Sequence, residues 1–232
     1  MFKGTIKTIF FDLDNTLFDH TRAEATTLKV LLKTSIKADG TINQDDFVDC
    51  YVKHNTALWE EMARGTIAPD EVKVKRFELT LTEFDFDHPD LAGLAADYLE
   101  LYSQQKFCLP NARKILDYLC QNYELGILSN GFAETQRNKI VNLDFTSYFA
   151  HTIFSGDAGA MKPAAEIFNV AMTAVNSTPE QILYIGDSYE NDIVGAHAVG
   201  WRTIYLNPFQ NPVSKKLADA EIRDLLELKD LL

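Results

Sequence analysis

Four short apolar runs, Ile6 to Phe11, Tyr123 to Leu128, Thr152 to Ser155 and Ile182 to Ile185, constrain this chain most, because each is followed by a segment with helical spacing. Each run has the β-branched and aromatic character of a buried strand. Strands that alternate with helices are joined by crossovers, and a crossover returns the chain parallel to its start. The pattern therefore predicts an α/β fold built on a doubly wound parallel sheet. In such sheets ligands bind outside the carboxyl ends of the strands. All four runs deliver polar residues there.

The first run ends in Asp12-Leu13-Asp14-Asn15-Thr16. Two carboxylates at the end of a buried strand are costly unless a cation or a catalytic use offsets their repulsion, although Asp14 or Thr16 could also cap the next element. The second run ends in Ser129-Asn130-Gly131, a hydroxyl, an amide and a permissive glycine at a strand-to-helix turn. After the third, Lys162 precedes Pro163, which suits the first turn of a helix. The fourth leads into Gly186-Asp187, with Asp192 five residues on, early in the following helix. Taken singly, these are caps or solvated charges. Together they place one chemical theme on four successive strand ends.

That theme is phosphoryl transfer. Asp12 and Asp187, with a nearby backbone carbonyl, make a hard oxygen site suited to Mg²⁺. Asp12 can attack phosphorus once the ion and Lys162 screen its charge, which splits the displacement into formation and hydrolysis of an aspartyl phosphate. Asp14 is placed to protonate the leaving oxygen and later to deprotonate water. Ser129 and neighbouring groups, with Lys162, would hold the phosphoryl oxygens.

The order of these segments, Asp12-Leu13-Asp14-Asn15-Thr16, Ser129-Asn130-Gly131, Lys162-Pro163 and Gly186-Asp187 with Asp192, resembles the four motifs of the haloacid dehalogenase superfamily of phosphohydrolases. The resemblance runs to about Leu206. It implies Asp12 as nucleophile and metal ligand, and Asp14 as general acid/base that ligates metal through its main-chain oxygen. It further implies Asp187 as metal ligand, Asp192 acting from behind the groups that touch the ion, and Thr16, Ser129, Asn130, Gly131 and Lys162 on the phosphate. Asn15 stands where many relatives carry Gly, and Asn tolerates the left-handed backbone such a turn needs.

Between Phe18 and Pro110 the strand pattern stops. Ala25 to Leu32, Phe47 to Met62, Val72 to Leu81 and Leu91 to Tyr102 keep helical spacing. This predicts an all-helical cap over residues 18–107, inserted into a Rossmann-like core made of residues 1–17 and 108–232, as in the helical-cap class of the superfamily, whose caps close over the site. Leu58-Trp59-Glu60, Gly65-Thr66-Ile67 and Arg76-Phe77-Glu78 look like the pyrimidine 5'-nucleotidase branch. Trp59, Phe77 and Phe84 either stack on a base or fill the bundle, and Trp59 or Phe18 is a candidate to face the base. The tail, Glu221 to Leu232, is apolar every third or fourth residue and predicts a closing helix.

A formal net charge of −12 over 232 residues argues against a nucleic-acid polymer or an anionic membrane as partner, but not against a small phosphate monoester in a local positive pocket. Cys50, Cys108 and Cys120 are scattered, without metal-ligand spacing, which fits a reduced cytoplasmic setting. The lead-in from Met1 shows no signal sequence and no run has the length of a membrane span. The expected activity is a Mg²⁺-dependent phosphatase acting on nucleoside 5'-monophosphates. The alternatives are a sugar- or metabolite-phosphate phosphatase, a phosphomutase, and a regulatory protein on the same fold. A dehalogenase shares the aspartate nucleophile but, by the family resemblance, lacks the acid that Asp14 supplies. Oligomeric state is not written in the sequence.

Overall fold

The structure, a computed structural model, describes residue 2, residues 4–38 and residues 40–232. The lead-in expected at Met1 lies outside the described residues, as do Lys3 and Asp39. The chain divides into two compact units, Met1–His20 with Lys106–Leu232, and Thr21–Gln105.

Strand β1 (Thr8–Phe11) opens the chain, and four helices follow: α1 (His20–Thr34), α2 (Gln44–Ala63), α3 (Pro69–Glu83) and α4 (Leu91–Ser103). Their starts are legible in the residues. Asn43 accepts from the amides of Asp45 and Asp46, Pro69 occupies the first turn of α3, and Asp90 accepts from Gly93 N. Within this unit Tyr51, Phe77 and Tyr98 pack ring to ring at 5.1 to 5.4 Å. The buried Arg76 guanidinium lies 4.6 Å over Tyr98, with Asn55 and Glu24 supplying polar contacts. Phe84 packs on Phe47. Arg76 and Phe77 therefore belong to the bundle interior, with half-buried Phe84 at its edge, and the Arg76-Phe77 part of the nucleotidase-like pattern is explained by packing.

The remaining elements are α5 (Ala112–Leu119), β2 (Glu124–Ser129), α6 (Ala133–Asn142), β3 (His151–Phe154), α7 (Ser155–Ala158), α8 (Ala165–Ala174), β4 (Ile182–Gly186), α9 (Gly195–Ala198), β5 (Arg202–Leu206), β6 (Ala220–Ile222) and α10 (Leu228–Leu231). All six strands run parallel in the order β3-β2-β1-β4-β5-β6. The runs are continuously apolar because both faces are covered, and every residue of β1 and β4 is buried. Phe10, Phe168, Tyr184 and Trp201 form the aromatic centre, with Phe10 stacked on Trp201 at 5.4 Å and Phe168 edge-on to it at 5.5 Å. Each such pair adds about 0.5–1.5 kcal/mol beyond its buried area.

The winding direction reverses between β1 and β4. Phe11 pairs with Ile127 of β2 on one side and Ile185 of β4 on the other, so the carboxyl ends of three strands open on one crevice. The structure corrects three local expectations. The tail is strand β6, a 3₁₀ turn at Leu225–Glu227 and the short α10, because Ala220 and Ile222 pair with Ile204 and Leu206 before Asp224 caps the turn. The helix expected from Asp192 is a π-helical turn, Tyr189–Val194, followed by α9. Helix α8 begins at Ala165, so Pro163, expected in its first turn, lies with Lys162 on the preceding loop. Among the described residues no helix is long and apolar enough to cross a membrane.

Candidate active site

At the crevice, β1 delivers Asp12, whose amide still donates to Ile185 O at 2.9 Å and so extends the β1–β4 pairing to the carboxylate itself. The turn that follows is closed by Leu13 O, which accepts from the amides of Leu17 and Phe18, and Asn15 takes φ 56° as the turn requires.

Lys162 is the hub. Its ammonium, almost fully buried, donates to Asp12 Oδ1 and Asp192 Oδ1, each at 2.6 Å, and to Tyr184 Oη at 2.8 Å. Those are all the donors a lysine has. Tyr184 passes the chain on by donating to Leu128 O at 2.7 Å. The other oxygen of Asp192 accepts from Ser188 N at 2.9 Å, so both oxygens of this fully buried carboxylate are used inside the protein. Asp192 reaches its position because residue 186 is glycine: a Cβ there would stand 2.2 Å from Asp192 Oδ2.

Asn130 positions the loop that carries Lys162. Its side-chain amide donates to Lys162 O at 2.9 Å and its carbonyl accepts from Lys162 N at 2.7 Å, while Ser155 Oγ donates to Asn130 O. This two-way bond ties the end of β2 to the loop before α8. Thr16 is fully buried, and its hydroxyl donates to Asp187 Oδ1 at 3.2 Å. Thr16, a candidate phosphate contact, thus spends its hydroxyl proton on Asp187.

Asp14 lies apart from the Lys162 hub. Lys139 Nζ donates to its Oδ1 at 2.6 Å and Gln136 Nε2 to its Oδ2 at 2.8 Å; the same Gln136 nitrogen lies 2.8 Å from Ser129 Oγ. The reverse orientation of this amide would set its carbonyl against a carboxylate. Residue 131 must be glycine for Gln136 to fit, since a Cβ there would meet Gln136 at 2.4 Å. Both Gln136 and Lys139 are buried on α6, and neither was singled out from the sequence. The available signal is their spacing of three on the helix directly after Ser129-Asn130-Gly131, on a face where apolar residues are expected. Asp14 itself keeps 27% of its side-chain area exposed, within reach of a ligand. Phe18, a candidate to face a base, is instead fully buried with Lys139 Nζ 4.7 Å over its ring.

The electrostatics separate the carboxylates. Burial, with Asp192 and Asp14 nearby, pushes Asp12 from an ordinary 3.8 up to about 7 despite Lys162. Burial and the charges of Asp12 and Asp192 push Asp187 up to about 8. Burial would also raise Asp14, but Lys139, His20 and Gln136 outweigh it and hold its carboxyl below the ordinary range. For Lys162, burial opposes the charge while Asp12 and Asp192 more than restore it, holding the ammonium above the usual lysine range. One oxygen from each of Asp12, Asp187 and Asp192 lies within 4.8 Å of the others. The cluster thus carries more potential negative charge than one ammonium neutralises. A hard divalent cation fits that donor set.

Comparison with known proteins agrees with this geometry. A profile described as haloacid dehalogenase-like hydrolase matches residues 6–200. The HAD-hydrolase YfnB of Bacillus subtilis is 31% identical over 229 residues, covering 97% of this chain and 95% of that protein. A crystal structure of YfnB bound to magnesium superposes with a TM-score of 0.86 over 98% of both chains at 30% identity. The pyrimidine 5'-nucleotidase PynA of Streptococcus pneumoniae is 31% identical over 204 residues (87% of this chain, 84% of the relative). The glyceraldehyde 3-phosphate phosphatase of Pyrococcus abyssi is 31% identical over 208 residues (86% and 81%). With the profile running from the first strand through the π-helical turn that carries Asp192, the chain belongs to the haloacid dehalogenase-like hydrolases.

Proposed function

We propose that this protein is a Mg²⁺-dependent phosphatase that hydrolyses small phosphate monoesters through an aspartyl phosphate on Asp12, with nucleoside 5'-monophosphates, pyrimidine forms foremost, as substrates. The observation that carries the reaction class is the charge pattern at the crevice. Asp12 and Asp187 are crowded and raised, whereas Asp14, two residues from Asp12, is held ionised by Lys139. Mg²⁺, held by Asp12, Asp187 and the main-chain oxygen of Asp14, would supply the positive charge that lets a phosphate dianion approach a carboxylate.

The chain's own groups account for the rest. Asp12 Oδ1 is tied to Lys162, which leaves Oδ2 to attack phosphorus; the new P–O bond forms as the bond to the leaving oxygen breaks. Asp14, held as the carboxylate, takes a proton from the water whose attack on phosphorus frees Asp12, and the proton so gained is the one it gives to the leaving oxygen of the next substrate. Ser129 Oγ already accepts from Gln136, so its proton is left to donate to a phosphoryl oxygen. With all its donors used, Lys162 contributes charge and alignment of Asp12.

Because Lys139 favours the carboxylate form of Asp14, its loss acts chiefly on water activation. Lys139→Met is expected to lower kcat by about 10² and to make the phosphoenzyme accumulate as an initial burst in rapid-quench assays. Unchanged kcat without a burst would remove Lys139 from the reaction.

The raised pair predicts a pH-dependent response to metal. An acid whose pKa rises from 3.8 on folding binds more protons folded than unfolded, so stability from this pair is lost as pH climbs from about 4 towards the values near 7 and 8. Mg²⁺ restores it where both groups are ionised. The Mg²⁺-induced rise in Tm should be larger at pH 8 than at pH 5 and should shrink in Asp187→Asn. An equal rise at both pH values would contradict the assignment.

The nucleotidase reading is supported by PynA, and a sugar-phosphate reading by the Pyrococcus phosphatase at the same identity. Residues at the crevice meet only the phosphoryl group, and one apolar contact elsewhere discriminates leaving groups by about 1–3 kcal/mol, so broad tolerance is expected. In a panel read by phosphate release, kcat/KM for deoxyuridine and thymidine 5'-monophosphates should exceed that for sugar phosphates. A tenfold advantage for sugar phosphates would replace this reading with a general metabolite phosphatase.

A further inference from the structure

The helical unit carries a second group of potential ligands, unrelated to the phosphatase reading. Cys50 and His54 stand four residues apart on α2 and so share one face. Glu83, the last residue of α3, meets them: His54 Nε2 lies 2.8 Å from Glu83 Oε1, and one ligand atom from each of the three residues lies within 4.8 Å of the others. Ligand atoms around a tetrahedral zinc ion stand about 3.4–3.7 Å apart, so closing the three onto one ion takes side-chain shifts of about an ångström. His54 keeps 16% of its side chain exposed and Glu83 46%, which leaves an approach from solvent.

We infer that Cys50, His54 and Glu83 form a zinc site that fastens α2 to the end of α3, with water as the fourth ligand. The donor set decides the metal. A thiolate and an imidazole select Zn²⁺ over Mg²⁺, which prefers the all-oxygen cluster at Asp12 and Asp187. The spacing Cys50-x₃-His54 is inconspicuous in the sequence because the third ligand arrives from another helix. Lys53 Nζ, 3.0 Å from Glu83 Oε1, occupies part of the carboxylate; its side chain is 69% exposed, so it can swing into water at little cost. Burial and the Glu83 carboxylate hold the Cys50 thiol up at about 11. Each zinc taken up therefore breaks the S–H bond, forms an S–Zn bond and releases one proton to solvent.

The test uses the full chain carrying Cys108→Ser and Cys120→Ser, which leaves Cys50 as its single thiol, in excess Mg²⁺ to occupy the carboxylate cluster. Titration with Co²⁺ should produce a thiolate-to-cobalt charge-transfer absorption that saturates at one equivalent and is abolished by Zn²⁺. Cobalt bound to carboxylates alone gives no such band. His54→Ala and Glu83→Gln should each weaken Zn²⁺ binding about tenfold or more in competition with a chromophoric chelator. Absence of the band from protein that is folded by circular dichroism overturns the site, as does a band of unchanged affinity in the His54→Ala variant. The first readout needs no change to any proposed ligand, so misfolding of a variant cannot rescue the inference.

Discussion

The crevice depends on one buried ammonium. Taking Lys162 out of water is costly, and the cost is offset only because all three of its protons are met, by Asp12 beyond β1, by Tyr184 on β4 and by Asp192 in the π-helical turn. Asn130 adds the end of β2 by holding the Lys162 main chain. Removing one partner of such a pair typically costs about 3–5 kcal/mol because the other charge is left buried and uncompensated. The small backbone at Gly186 follows from the same demand, since Asp192 must approach the strand end closely enough to reach Lys162. The position of the nucleophilic candidate Asp12 is thus set by contacts from three strand ends.

A division of labour follows between two carboxylates two residues apart. Asp12 faces the crowded side with Asp187 and Asp192, where negative charge accumulates and a cation is welcome. Asp14 faces α6, where Lys139 and Gln136 keep it ionised and oriented. One strand end thereby supplies both a group that needs a metal and a group that needs none. The distinction comes from neighbours, since both begin with the same intrinsic acidity.

Much of this was legible in the residues. Continuous apolar runs marked β1, β2, β3 and β4, and helical spacing marked α1 to α4, α6 and α8, because a parallel sheet covered on both faces and amphipathic helices leave different periods. Asp12, Asp14, Ser129, Lys162, Asp187 and Asp192 stood out as polar residues at strand ends. What was hidden depends on tertiary partners. Strand β6 is only Ala220–Ile222 and is defined by pairing with β5, and its apolar residues also suit a helix. The π-helical turn arises where Asp192 bends back to Lys162. Lys139 and Gln136 look like surface residues of α6 until the Asp14 carboxylate is set against them, and Thr16 and Asn130 look like ligand contacts until Asp187 and the Lys162 backbone claim them.

The central claim is that Asp12 becomes phosphorylated. Acid-quenched turnover of a phosphate monoester in the presence of Mg²⁺, followed by proteolysis and mass spectrometry, tests it most directly. The account predicts a peptide spanning Asp12 that has gained the mass of one phosphoryl group, seen during turnover and lost once substrate is exhausted. Steady phosphate release with that peptide unmodified, or with the phosphoryl group on another residue, would contradict it.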